Sequence, residues 1–183
     1  MEIWFGSSLL KSINLEEKGI KFPYFDDVFG KPKFSPNGKK IIFLSELEKG
    51  KKYKNYFEEN SINDNNNNNN EDQILKNMKK FEYEQDFGEQ LVGKIDPVIT
   101  IYDLENEEIG FIEMGLLELQ ENENIKIYPV SPFFDQSNED IIFCGYSFAN
   151  DLKLGPIYCL KRPSKIYLLK NPIVNWKNKT PLM

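Results

Sequence analysis

The sequence contains no histidine, and this absence removes the usual general base of serine and cysteine hydrolases. Cysteine is also scarce: Cys144 and Cys159 are too few for a disulfide framework. Both lie in apolar runs, so we expect buried free thiols in a reducing compartment. No segment reaches the roughly 20 consecutive apolar residues that span a bilayer, and we expect no membrane association.

Basic residues are outnumbered, with 23 Lys and Arg against 29 Asp and Glu and a net charge of −6. An acidic chain is repelled by phosphate backbones, so a nucleic-acid partner is not expected. The basic cluster from Lys49 to Lys54 is interpreted as a solvated loop. Residues Met1 to Phe5 lack the basic start and long apolar stretch of a signal peptide, which predicts a cytoplasmic protein.

Recognisable cofactor and metal motifs are missing too. There is no Gly-rich phosphate loop, no paired cysteine motif and no calcium-loop spacing, so we expect no cofactor-binding and no metal-binding residues. The carboxylate pairs Asp26-Asp27, Asp86/Glu89 and Glu139-Asp140 are of the type that performs acid–base catalysis. Their spacing is equally typical of loop-tip charges and turn caps, and we interpret them as such.

One pentapeptide, Gly145-Tyr146-Ser147-Phe148-Ala149, nearly matches the nucleophile elbow G-x-S-x-G. Its last position is alanine, and the residues from Asn150 to Pro156 do not begin a helix. Without a histidine to activate it, Ser147 is interpreted as a residue near a strand end. We therefore expect no catalytic residue in this chain.

Two segments exactly one hundred positions apart match each other: 34–43 and 134–143. In each, a phenylalanine leads into a polar turn, and an Ile-Ile-Phe strand begins seven positions later. Recurrence of one supersecondary unit indicates a repeat architecture. The aromatic content of 14% favours strands. Aromatic residues are interpreted as core rather than as a ligand cage, among them Trp4, Tyr83, Phe87, Tyr102 and Phe143.

Short apolar or alternating runs predict strands, and a helical turn is predicted at Lys76 to Lys80. The predicted strands are Ile3 to Phe5, Leu9 to Leu15, Lys40 to Ser45, Phe81 to Asp86, Val98 to Leu104, Ile109 to Glu113, Ile141 to Tyr146 and Ile166 to Leu169. Runs such as Ile41 to Leu44 are apolar on both sides, which indicates sheets covered on both faces. Blades of a β-propeller are covered in this way by their neighbours.

The predicted fold is therefore all-β: a partial β-propeller with one full four-stranded blade plus parts of two neighbours. The predicted strands between positions 40 and 113 make the full blade, with Phe81 to Asp86 as its second strand. We assign residues 1–170 to the propeller fragment. Within it, residues 58–75 form an Asn-rich insertion too polar to order itself, and residues 171–183 form a divergent tail.

Several stretches resemble the N-terminal β-propeller domain of acylaminoacyl-peptidase (acylpeptide hydrolase), of the prolyl oligopeptidase group. They are Glu2-Ile3-Trp4 with Lys11 to Leu15, Tyr24 to Gly30, Tyr83 to Glu89 followed by Pro97-Val98, Ile142 to Tyr146, Leu154 to Cys159, Arg162-Pro163-Ser164 and Ile166-Tyr167. Their order and spacing are similar over nearly the whole chain. The tail from Asn171 departs from the pattern.

The resemblance implies a cytosolic serine-type omega peptidase that releases N-acylated amino acids from blocked peptides. In that family the catalytic triad lies on a separate hydrolase domain, while the propeller filters substrates and helps assembly. We expect a non-catalytic fragment whose partner is a peptidase catalytic domain or another propeller chain, with peptide substrates bound only by the complete enzyme. The alternative is a non-enzymatic protein-interaction module that completes its propeller by association.

Overall fold

The computed structural model describes residues 1–47, 85–88, 90–112, 125–149, 152–158, 161–172 and 174–176. These residues form strands, turns and loops, and none of them belongs to a helix long and apolar enough to cross a membrane. The strands are β1 (Glu2–Phe5), β2 (Ser8–Ser12), β3 (Ile20–Tyr24), β4 (Lys33–Phe34), β5 (Lys40–Leu47), β6 (Val98–Asp103), β7 (Ile109–Ile112), β8 (Ile125–Phe134), β9 (Ile141–Ala149), β10 (Ser164–Leu169) and β11 (Val174–Trp176).

The strands form three sheets. The first is the antiparallel hairpin β1–β2, and the last is a three-stranded sheet of order β10-β9-β8. The central sheet has the order β11-β7-β6-β5-β3, with β4 also paired to β5; except for β11, its strands lie between the other two sheets in the chain. An all-β fold is thus confirmed. The sheets of the described residues do not close into a ring.

The two matching segments fold alike. In the first, the N–H of Ser35 donates to the carbonyl of Lys40 at 2.9 Å; in the second, Asp135 donates to Asp140 at 3.0 Å. Gly38 and Asn138 occupy the same place in each turn with φ of 72° and 64°, a conformation that glycine and asparagine tolerate best. The predicted structural repeat is confirmed.

The central sheet is buried on both faces, as predicted. Every residue of β5 from 41 to 46 is buried. Ile41 and Phe43 pack in one cluster with side chains of β1 and of the residues that follow β2. Ile42 and Leu44 point the other way and pack in a second cluster with side chains of β8 and β9. This alternation makes the central sheet the middle layer between two others.

The predicted order of strands in the full blade is wrong. Strand β5 pairs directly with β6, and the strand on its other side is β3, so no place remains between them for Phe81 to Asp86. Gln85 and Asp86 are not in a strand, and residues 81–84 lie outside the described residues. The sequence did not predict β3, because β3 contains Pro23 and proline is uncommon inside strands. Proline is tolerated here because β3 is an edge strand, which forms ladder hydrogen bonds on one side only.

Other predictions fall outside the described residues. These are the insertion 58–75, the helical turn from Lys76 to Lys80, the basic cluster from Lys49 to Lys54, Tyr83 and Cys159. The domain boundaries stay predictions. Within the predicted tail, β11 pairs antiparallel with β7 in the central sheet. Cys144 is a free thiol, as predicted, but it is half-buried and not buried.

Asp103 organises the turn of the predicted β6–β7 hairpin, which is confirmed. Its Oδ1 accepts the backbone N–H groups of Glu105 and Asn106 at 2.9 and 3.0 Å, and its Oδ2 accepts the side-chain amide of Asn106. Burial alone would raise the pKa of Asp103, but these donated hydrogen bonds outweigh it and hold the pKa below its usual value.

We expect Asp103→Asn to destabilise the protein by about 1 kcal/mol near pH 7, because the amide accepts these bonds more weakly than the carboxylate. The carboxylate contributes its stability above its unfolded-state pKa of 3.8, and the contribution is lost as the pH falls through the lower folded value. Urea unfolding should therefore show a difference between wild type and variant that shrinks below about pH 4. The control is Glu139→Gln; an Asp103→Asn effect equally large in acid would contradict the assignment.

Candidate functional site

Ser147 does not form a nucleophile elbow. It lies inside β9, opposite Ile127, and its N–H donates to the carbonyl of Pro163 at 3.0 Å. The extended strand contains no strand-to-helix turn there. Its hydroxyl is buried and has no hydrogen-bond partner among the described residues, so none of them serves as its base. The interpretation of Ser147 as a strand residue is confirmed.

The carboxylates of Asp26 and Asp27 serve separate local contacts. Asp26 Oδ1 accepts the N–H groups of Val28 and Phe29 at 2.9 and 2.7 Å, which holds the turn after β3. Asp27 instead forms an exposed ion pair with Lys31 at 2.9 Å. The hydrogen bond and positive charge of Lys31 lower the pKa of Asp27. The two carboxylates are held by separate partners, so the pair is not an acid–base dyad.

The remaining carboxylate pairs are also engaged in turns. Asp86 accepts backbone N–H groups from two glycines of its own loop, at 2.8 and 2.6 Å. Glu89 lies outside the described residues. Of the Glu139–Asp140 pair, Asp140 accepts the N–H of Asn171 at 3.0 Å. Among the described residues no group of three or more His, Cys, Asp or Glu side chains is placed to hold a metal ion.

One cluster of buried polar groups does occur, where the loop of residues 86–97 meets β3 and β5. Glu46, on β5, is 2% exposed. Its Oε2 accepts the hydroxyl of Tyr24 and the backbone N–H groups of Ile95 and Asp96, the latter two at 3.1 and 3.0 Å. We call these four residues the Glu46 cluster. Burial, and then the hydrogen bond to Glu46, raise the pKa of the Tyr24 phenol, so it stays a neutral donor.

Lys94 extends this contact on the loop side. Its ammonium group pairs with the carboxylate of Asp26. The same nitrogen lies 5.3 Å from the ring centroid of Tyr24 and 5.5 Å from that of Phe29, within the range of cation–π attraction. Loop 86–97 is therefore fixed to β3 and β5 by a buried carboxylate and by a half-buried ion pair.

The Glu46 cluster is suited to holding a loop, not to chemistry on a substrate. Its carboxylate is sealed from solvent, and one of its oxygens already receives three donors. Inspection of the sequence alone missed Glu46, since the predicted strand ended at Ser45. The available signal was the alternation of side chains along a strand: Glu46 lies on the same side of β5 as the buried residues Ile42 and Leu44.

An open cleft of about 500 Å³ lies between the β1–β2 hairpin and the rim of the central sheet. Most of its lining is apolar, and its one charged lining residue is Lys11. The hydrogen bond from Lys11 to Glu107, at 2.7 Å, raises the pKa of Lys11. The lining residues are Ile3, Trp4, Phe5, Leu10, Lys11, Phe34, Gly38 and Leu104.

The prediction that the singled-out aromatic residues belong to the core is right for three of them. Phe87, Tyr102 and Phe143 are buried. It is wrong for Trp4, which is 52% exposed and lines the open cleft beside the β1–β2 hairpin. The described residues therefore present loops, packed sheets and exposed apolar surface, and no assembled catalytic constellation.

Comparisons with known proteins agree on one family. The sequence model of the family described as "Acylamino-acid-releasing enzyme, N-terminal domain" matches residues 1–182. The acylamino-acid-releasing enzymes of Mus musculus, Rattus norvegicus and Homo sapiens are each 26% identical to this chain over 174 residues. Each match covers 91% of this chain and 22% of the relative, so the chain spans about a fifth of the length of these relatives.

Proposed function

This chain belongs to the family of acylamino-acid-releasing enzyme N-terminal domains, and on that basis we propose that it is a non-catalytic β-propeller segment of a serine-type peptidase. The peptidase reaction it would serve is the release of N-acylated amino acids from blocked peptides. Its own contribution would be to dock onto the rest of the enzyme and to restrict which peptides reach the active site.

The order of the strands supports the propeller assignment. Strands β3, β5, β6 and β7 follow one another across the central sheet in chain order, as in a propeller blade. The hairpin β1–β2 would supply the last two strands of the preceding blade, and β8, β9 and β10 the first three of the next. Burial of both faces of the central sheet is the observation that carries the proposal, since propeller blades are packed this way.

A non-catalytic role is supported by the absence of histidine from the sequence and by the surroundings of Ser147. The carboxylates of Asp26, Asp27, Asp86 and Glu46 are bound to backbone N–H groups, to lysines or to Tyr24. Such groups stabilise turns and would have to break these contacts before moving a proton.

Grafting tests the proposal. The matching segment of the mouse enzyme is replaced by this chain, and hydrolysis of acetyl-alanine p-nitroanilide is compared with release of acetyl-alanine from a long acetylated polypeptide. We expect the graft to hydrolyse the anilide and to exclude the polypeptide. The isolated 183-residue chain should hydrolyse neither.

Ser147→Ala provides the matched control. The grafted enzyme should keep its full anilide activity with this substitution, and a fluorophosphonate probe should not label Ser147. If the isolated chain cleaved the anilide and lost that activity with Ser147→Ala, the non-catalytic role would be wrong. A folded graft that failed on the anilide would rule out the docking role.

A further inference from the structure

The turn between β4 and β5 contains the only Asn-Gly pair of the sequence, Asn37-Gly38. Asparagine is a chemically labile residue, and the backbone nitrogen of the next residue can attack its side-chain amide. Glycine hinders this attack least, because it has no side chain. Both residues are exposed, and a Cβ built on Gly38 would meet no atom within 4 Å. Water and base therefore have access to the pair.

The reaction available to this pair is deamidation. The Gly38 nitrogen loses its proton to a base in the solvent and forms a bond to Cγ of Asn37, which closes a five-membered succinimide ring. The bond from Cγ to Nδ2 breaks, and Nδ2 takes up a proton and leaves as ammonia. Water then opens the ring at either carbonyl carbon and yields aspartate or isoaspartate at position 37. One water is consumed and one ammonia is released, so no further reactant is needed.

In the folded turn both reacting groups are engaged. The N–H of Gly38 donates to the carbonyl of Ser35 at 2.8 Å, so a base has to displace this carbonyl before it removes the proton. Oδ1 of Asn37 accepts the hydroxyl of Ser35 at 2.7 Å and the N–H of Lys39 at 3.0 Å. Because a backbone N–H pairs only with an acceptor, the Lys39 bond fixes which way the amide points. Approach of Cγ to the Gly38 nitrogen requires this side chain to move from its bonded position.

Ser35 makes most of these contacts. It is 3% exposed, and its N–H donates to the carbonyl of Lys40 at 2.9 Å. Its hydroxyl accepts the N–H of Lys40 at 2.9 Å while it donates to Asn37. One residue thus supplies the acceptor for the attacking nitrogen and a donor for the amide under attack. The second repeat carries no such pair, since Ser137 stands at the position of Asn37.

We propose that Asn37-Gly38 is a deamidation site that the folded turn protects, and that Ser35 provides the protection. Modification then marks the chains whose turn has opened. The isoaspartyl product adds one atom to the backbone, so the bonds between Ser35 and Lys40 cannot re-form in their register. The N–H of Asn37 also donates to Oδ1 of Asn138 at 2.8 Å, so the same change breaks a contact between the central and the third sheet. This inference does not depend on the peptidase role.

Deamidation of the full chain in mildly alkaline buffer, with and without concentrated urea, tests the inference. Trypsin releases residues 34–39 as a peptide with a single asparagine, and chromatography with mass spectrometry separates its asparaginyl, aspartyl and isoaspartyl forms. We expect modification to be at least about tenfold slower in the folded chain than in urea, because the turn must open first. Gly38→Ala should slow the reaction in urea, since the added methyl group hinders the attacking nitrogen.

Ser35→Ala should accelerate modification of the folded chain about tenfold, because it removes one hydrogen bond to Asn37 and one to Lys40. In urea its rate should equal that of wild type. Ser45→Ala is the matched control. It also removes a buried hydroxyl, which bonds Thr100 at 2.6 Å on the strand that follows, but it leaves the turn intact. The control should keep the wild-type rate.

Ser35→Asp replaces Ser35→Ala if circular dichroism shows that the latter is unfolded, because Asp135 has the same position in the second turn and accepts two donors there. An ionised aspartate cannot donate to Asn37 Oδ1, so this variant should also react faster than wild type. A wild-type chain that is modified as fast in buffer as in urea, or that is not modified in urea, would overturn the inference. A folded Ser35 variant no faster than Ser45→Ala would overturn the role of Ser35.

Discussion

Replacing Gly30 by alanine is expected to destabilise the protein by about 2–5 kcal/mol. Gly30 has a φ of +101°, a conformation that side chains rarely adopt. An added Cβ would lie 2.6 Å from Ser131 Oγ and 2.9 Å from Ser131 Cα. Because Ser131 also donates its N–H to the carbonyl of Phe29 at 2.7 Å, the two backbones cannot separate without losing that bond. The close approach joins the turn after β3 to the bulge in β8.

Urea unfolding followed by circular dichroism measures the effect, and Gly38→Ala is its matched control. Gly38 also has positive φ, +72°, but a Cβ there would meet no atom within 4 Å. The control therefore retains the backbone cost, about 1–2 kcal/mol, without the collision. If the two variants were equally destabilised, the contact between Gly30 and Ser131 would not be tight, and the packing of β8 against this turn would need revision.

How well the sequence predicted the strands depended on the kind of strand. β5, β6, β7 and β9 are apolar runs with few interruptions, so their local pattern was sufficient. β3 and β8 are edge strands that contain Pro23 and Pro129, and in both the proline hid the strand pattern. An edge position is a property of the whole sheet, and no local pattern reports it.

In the loop around Asp86, the sequence carries a family motif, but only the structure shows what the residues of this motif do. The run Asp86-Phe87-Gly88 carries part of the family resemblance. In the structure, Asp86 bonds the N–H groups of two glycines with positive φ, while Phe87 packs edge-on against Phe29 and Tyr128 with centroids 5.2 and 5.1 Å away. The sequence identified these residues, but their role in packing between two sheets depends on contacts with residues distant in the chain, and no local pattern reports such contacts.

The Glu46 cluster lay beyond sequence prediction for the same reason. Glu46 meets Ile95 and Asp96 across about fifty residues of chain, through backbone N–H groups that carry no side-chain signature. The alternation of side chains along β5 places the Glu46 carboxylate on a buried side of the strand. It does not identify the groups that donate hydrogen bonds to this carboxylate. A buried carboxylate implies donors, because an unpaired one would cost several kcal/mol.

Glu46→Ala is accordingly expected to destabilise the protein by about 3–5 kcal/mol. The truncation leaves the hydroxyl of Tyr24 and two backbone N–H groups buried without their acceptor, and it opens a cavity beside β5. Glu46→Gln keeps the shape and one acceptor oxygen but loses the charge, so about 1–3 kcal/mol is expected. Urea unfolding measures both values.

Glu105→Ala is the control for the loss of a carboxylate, because among the described residues the side chain of Glu105 forms only an exposed ion pair with Lys39, at 2.9 Å. It should change stability by less than about 1 kcal/mol. The double variant with Tyr24→Phe gives the coupling between phenol and carboxylate, expected at about 1–2 kcal/mol. A Glu46→Ala effect no larger than that of Glu105→Ala would mean that the loop is held by Lys94 and its apolar contacts alone.

Hydrogen exchange at Ile95 and Asp96 then separates local from global effects. If the Glu46 carboxylate fixes loop 86–97, Glu46→Gln should accelerate exchange of these two amides more than exchange in β6, because only these two amides donate to the acceptor that the substitution weakens. Equal acceleration throughout the central sheet would instead mean that the cluster supports the whole sheet. Phe87 of this loop packs between the turn after β3 and β8, so release of the loop should also loosen the packing that makes the central sheet a middle layer.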